Sequence, residues 1–136
     1  MPAIGYNRCM STASNIPAAF IPASMTQPIT VVQVTRELRS MYPIIGCEIV
    51  ERVSLDKNYR AALWVDEMGL LRDAPLNLRA SCIAGRHIYG DAIMAGECAD
   101  TFDIVPLSIA CPKLFFDAVE QEARIILKNL SEQEAA

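Results

Sequence analysis

Hydrophobic and polar positions along this chain repeat with a period of two in some stretches and with a helical period in others. Ile29-Thr30-Val31-Val32-Gln33-Val34 is short and β-branched, which predicts a strand. Thr35 then offers a capping hydroxyl to a short helix from Arg36. Leu38, Met41, Tyr42 and Ile45 form its apolar stripe, and Pro43 and Gly46 close it. Cys47, Ile49 and Val53 alternate with Glu48 and Arg52 in a half-buried strand, with Val50 blurring the pattern. After the polar cluster Asp56-Lys57-Asn58, Tyr59 to Val65 reads as a second strand. Tyr59, Ala61, Leu63 and Val65 share one face, and Arg60, Ala62 and Trp64 the other.

Asp66-Glu67-Met68-Gly69 is a turn, after which Leu70-Leu71 resumes an extended path. Asp73 to Gly85 is irregular, with a helical turn within Leu78 to Ile83. Ile88 to Ala95 predicts a strand, and Phe102, Ile104 and Val105 a shorter one. Pro112 opens the longest helix, where Phe115, Val119, Glu122, Ile126 and Leu130 fall on one face. Strands follow one another like hairpin neighbours and the helices lie near the two ends. The expected fold is α+β: a small, mainly antiparallel sheet with a short N-terminal helix and a long C-terminal helix packed on one face.

Residues 1–28 contain Pro2, Pro17, Pro22 and Pro28 among small polar residues, so they read as a flexible tail or partner-binding arm. The same prolines make a poor signal peptide. Residues 29–130 are expected to form one domain, and the polar end 131–136 to fray.

The 136 residues are 52% hydrophobic and 21% charged, enough to bury a core. A net charge of −4 argues against broad nucleic-acid binding, which needs a basic face. No apolar run has the roughly 18 residues of a membrane span. The five cysteines, Cys9, Cys47, Cys82, Cys98 and Cys111, have wide spacings, no C-x-x-C pair and one histidine, His87, for company. That pattern predicts mostly reduced core thiols in a reducing compartment, with no metal site and no cofactor.

Val65-Asp66-Glu67-Met68-Gly69-Leu70-Leu71, then Asn77-Leu78-Arg79-Ala80, then Tyr89-Gly90-Asp91 resembles a domain-of-unknown-function family of small bacterial, plasmid and phage proteins. The resemblance spans about Ile29 to Val105. It implies a fold and a setting on mobile DNA in the bacterial cytoplasm, and no activity.

Chemistry-bearing residues are few. Asn77, Arg79 and Ser81 alternate, so an extended run would aim all three one way. Arg79 has the planar fork that grips phosphate or carboxylate, and Asn77 both donates and accepts. Arg86 and His87 would add positive charge, and Trp64 or Tyr89 a stacking face, which makes this set the candidate site for a small anionic, nucleotide-like ligand. The competing account has Asn77 capping a turn and Arg79 paired with an acid such as Asp73. Cys82 with His87 lacks a nucleophile elbow, and Asp66-Glu67 reads as solvated turn acids, so no catalytic residue is expected. Phe115 and Phe116 point about 100° apart on a helix, which leaves one for a subunit contact.

These features predict a non-enzymatic binding or accessory protein of a mobile element. It would act on a host cytoplasmic protein and assemble as a homo-oligomer, with sequestration of an anionic nucleotide-like signal in counter-defence as the alternative. An enzyme using Cys82/His87 or Asp66/Glu67 is the remaining one.

Overall fold

A computed structural model describes residues 15–135. Among the described residues, six strands form one sheet: β1 (Ile16–Ile21), β2 (Thr30–Val34), β3 (Val50–Ser54), β4 (Ala61–Asp66), β5 (Ala92–Glu97) and β6 (Ile104–Val105). The order is β2-β1-β5-β4-β3, and every pairing is antiparallel. The helices are α1 (Tyr42–Ile45), entered through a 3-10 turn at Leu38–Met41, then α2 (Leu78–Ala84) and α3 (Pro112–Ala135). The fold is the expected α+β, with its sheet antiparallel throughout.

Both faces of the sheet are covered. On one, Ala19 and Ile21 of β1, Val53 of β3, Leu63 and Val65 of β4 and Ala92 and Met94 of β5 pack under Ala80 and Ile83 of α2 and Val119 of α3. On the other, Ile16, Ala18, Trp64, Ile93 and Ala95 pack under Met41 and Ile45. This is why β4 is buried from Ala61 to Val65 on both faces. Trp64 is thereby a core residue beneath the short helices.

The proline-rich segment is the main correction. Residues 1–14 lie outside the described residues, but 16–21 is not tail: it is β1, an inner strand between β2 and β5. Pro17 is tolerated because β1 pairs with β5 only over Ala19–Ile21, so at Pro17 one edge of the strand is open. Beyond that point β6 takes over the edge of β5, at Gly96 and Glu97.

Three further segments differ from the sequence reading. Leu70-Leu71 stays in a turn that runs on to Asp73, and both side chains are exposed. Its Gly69 is buried so close to β5's approach that a Cβ there would lie 2.7 Å from the Tyr89 carbonyl oxygen. The strand expected from Ile88 begins at Ala92, and Tyr89 makes only an isolated bridge to Leu76. Residues 131–135 continue α3 where fraying was expected.

Candidate functional site

Asn77, Arg79 and Ser81 do not form an extended run. Asn77 is the N-cap of α2, and its Oδ1 accepts from the Ala80 amide at 3.0 Å. Its Nδ2 donates to the Ile21 and Gly90 carbonyls, both at 2.9 Å. The side chain is fully buried and ties β1, α2 and the start of β5 together. Its fixed, saturated amide leaves nothing to offer a ligand.

Arg79, one residue into the helix beyond Leu78, turns inward and is only 1% exposed. Its Nη2 donates to the carbonyls of Pro22 at 2.7 Å and Ser24 at 2.9 Å, and its Nη1 to Glu120 Oε1 on α3 at 3.0 Å. Glu120 Oε2 in turn lies 2.9 Å from Arg124 Nε, an ion pair without hydrogen-bond alignment. Arg124 Nη2 reaches the Met25 carbonyl at 3.3 Å. Two arginines and one carboxylate therefore clamp the β1–β2 connection onto α2 and α3. The acid paired with Arg79 is Glu120, not Asp73, and Arg79 Nε is left buried without an acceptor.

Ser81, Arg86 and His87 do come together, on the far side of α2. With Leu76, Leu78, Cys82, Glu122, Ile126 and Leu130 they line an open groove of about 810 Å3 between α2 and the second half of α3. The groove exists because α3 outruns its support. Val119 and Ala123 are buried, whereas Leu130 on the same stripe is 42% exposed. Ser81 Oγ accepts from the Ile88 amide at 2.9 Å, which fixes the chain after α2 as it passes through Arg86 and His87. Both of those side chains are exposed, and Arg86 is held only loosely, 3.7 Å from Glu51.

A smaller cleft of about 230 Å3 lies across the Arg86–His87 ridge, lined by Glu51, Asp66, Glu67 and Tyr89 among others. His87 and Tyr89 meet edge to face with ring centroids 6.4 Å apart. Asp66 spends its carboxylate on the turn: Oδ1 accepts from the Met68 amide at 2.9 Å, and Oδ2 lies 3.6 Å from Arg72. Glu67, next in the chain, is exposed. Three acids face one arginine here, so the cleft repels anions.

Phe115 and Phe116 both pack against the core, Phe115 edge to face on Tyr59 at 5.4 Å and the pair on each other at 5.0 Å. Both are half-buried, so the expected split into one core ring and one exposed ring is not seen. Cys47, Cys82 and Cys111 carry free thiols, while Cys98 takes part in a disulfide. Burial, then the nearby Glu122 carboxylate, pushes the Cys82 thiol above its ordinary range. Burial, then Asp66, does the same to Cys47. Among the described residues, no His/Cys/Asp/Glu group of three or more could hold a metal ion, and no helix is long and apolar enough to cross a membrane.

A family model described as a domain of unknown function, DUF3846, matches residues 18–120. The chain belongs to the DUF3846 family. The matched span exceeds the stretch whose motifs suggested it at both ends. It begins inside β1 and closes on Glu120, so both arms of the Arg79 clamp fall within this DUF3846 domain, and the overhanging part of α3 follows it. No functionally curated protein matches. The crystal structure of small RNA methyltransferase HEN1 is similar over 73% of this chain, with a TM-score of 0.57 and 21% identity. The chain spans only 15% of that one, and at this identity the likeness is one of fold.

Sequence reasoning missed Glu120 and the groove walls Leu76, Leu78 and Ile126. The stripe Phe115, Val119, Glu122, Ile126, Leu130 carried a signal for the groove, since its last two members extend beyond the length a seven-residue α2 can cover.

Proposed function

We propose that this DUF3846 domain is a non-enzymatic binding module that presents the α2–α3 groove to an apolar segment of a protein partner in the bacterial cytoplasm. The observation that carries the reading is the groove itself. Leu76, Ile126 and Leu130 form an apolar wall that stays in reach of solvent over a buried Leu78, while Arg86 and Glu122 set charges of both signs beside it. Apolar walls supply affinity and a few fixed polar groups supply register. The mobile-element setting implied by the sequence resemblance makes a host protein the natural partner.

Two alternatives are weaker on this geometry. An anionic nucleotide would need a net positive site, yet Arg79 is consumed internally, Trp64 lies on the opposite sheet face, and Arg86 is outnumbered by acids in the smaller cleft. A thiol enzyme would need Cys82 as thiolate, and both burial and Glu122 favour its neutral form.

The test is site-specific photocrosslinking in host cells. A benzophenone side chain at Leu130 is expected to give one adduct of discrete mass, and the same group at Ile49, exposed outside the groove, none. The partner so identified should bind the purified domain and lose affinity at least about tenfold with Ile126→Glu, the scale of one buried apolar contact. Equal adducts from both positions, or unchanged affinity in the variant, would overturn the reading.

A further inference from the structure

The two edges of the sheet are built differently. Edge strand β3 (Val50–Ser54) carries Glu51 and Arg52, and the Arg52 guanidinium is held by both carboxylate oxygens of Glu97. Charges along an outer strand discourage another strand from adding to it. Edge strand β2 reads Thr30-Val31-Val32-Gln33-Val34, with no charge, proline or glycine in it. Val31 lies opposite Ala19, on the sheet face that α2 and α3 cover elsewhere, and is 71% exposed; Thr30 and Gln33 are exposed as well. Among the described residues, β1 is the only strand paired with β2. A β-branched, uncharged strand with an open ladder of backbone donors and acceptors is a template for one more strand.

We propose that β2 pairs antiparallel with β2 of a second copy of this chain, joining two six-stranded sheets across a two-fold axis. Absence of charge is what selects the second copy. At a two-fold, each side chain meets itself or a near neighbour of itself, so a charged strand would face its own sign. Each chain carries −4 overall, which makes a neutral strip the surface on which two copies approach at least cost. An antiparallel pairing centred near Val32 sets Val31 of one copy beside Gln33 of the other, and covers the exposed valine with an uncharged neighbour. Five residues make a small contact, so the dimer forms with rising concentration rather than as an obligate unit. This contact lies outside the α2–α3 groove and stands or falls independently of the reading given to it.

Sedimentation velocity of the full chain across a concentration series tests this, alongside Val31→Lys and Gln33→Lys. Both positions are exposed, so both variants are expected to fold with an unchanged circular dichroism spectrum. Wild type should shift from monomer to dimer as concentration rises, and hydrogen exchange at β2 amides should slow in step. Either lysine should hold the chain monomeric, whereas Glu51→Lys on the other edge should leave the dimer intact. A wild-type chain that is monomeric throughout would overturn the proposal, as would a dimer indifferent to both lysines. So would a monomer whose β2 amides are already protected, which would mean that its own chain covers the edge.

Discussion

Arg79 and Glu120 lie 41 residues apart in the chain and meet 3.0 Å apart in the fold, where they lock α2 to α3. The same guanidinium holds the carbonyls of Pro22 and Ser24, so a single side chain joins three segments. A buried arginine in an acidic protein is costly to desolvate, and only these partners compensate it.

Arg79→Met should therefore destabilise the domain by about 3–5 kcal/mol, the usual cost of breaking a buried pair from one side. Arg79→Lys should recover little, since an ammonium cannot reproduce the planar fork. Urea denaturation monitored by Trp64 fluorescence measures both. A change within about 0.5 kcal/mol, typical of a surface position, would contradict the clamp.

Asn77 separates two roles that one substitution normally confounds. Asn77→Ala loses the cap and leaves two carbonyls without donors, at a cost of about 2–4 kcal/mol. Asn77→Asp keeps the cap but puts a carboxylate against the Ile21 and Gly90 carbonyls. Its acid should be raised in the folded state, so stability is present at low pH and is lost as pH rises through that folded value. Equal stability of the Asp variant at pH 4 and pH 7 in urea titrations would contradict this placement.

Asn77 also shows what was legible in the chain. Its capping role, the strand at β2, the short helix before Gly46 and the long helix from Pro112 all follow from local rules about hydroxyl or amide caps, β-branching and apolar spacing. What local rules could not show is tertiary. Pro17, Pro22 and Pro28 made residues 16–28 look unfit for a sheet, because the open edge beside Pro17 exists only once β5 and β6 are in place. Arg79 looked available because Glu120 is remote in sequence. The groove was invisible because it depends on α3 being longer than the helix it packs on.

Gly96 sits on β5 directly against β6. A Cβ there would run into the Pro106 carbonyl oxygen and lie 2.8 Å from that of Val105. These are backbone atoms that cannot swing away, so Gly96→Ala should detach β6 and cost about 1–3 kcal/mol. Hydrogen exchange is expected to speed at Ile104 and Val105 while β4 stays protected. Unchanged exchange at both sites would count against the close approach.

The Cys82 thiol is raised by burial first and Glu122 second, which gives a pH dependence with a definite sign. An unfolded chain releases this proton near the ordinary value of 9.0, earlier than the folded one. The contribution to stability is thus full below pH 9.0 and declines as pH rises from there toward the folded value. Cys82→Ser should flatten part of the alkaline fall, and Glu122→Gln should speed alkylation of Cys82 at fixed pH. An alkaline limb that keeps its slope in Cys82→Ser would refute the assignment.

The most direct test of the groove uses the protein's own thiols. Cys82 lines the groove, while Cys111 is exposed outside it. Alkylation rates at the two sites, followed by mass spectrometry with and without the crosslinked partner at saturation, report which surface is covered. The account predicts that Cys82 slows by about tenfold or more, as mass action requires when nine-tenths of the sites are occupied, with Cys111 unchanged. Equal rates at Cys82 with and without bound partner would contradict it.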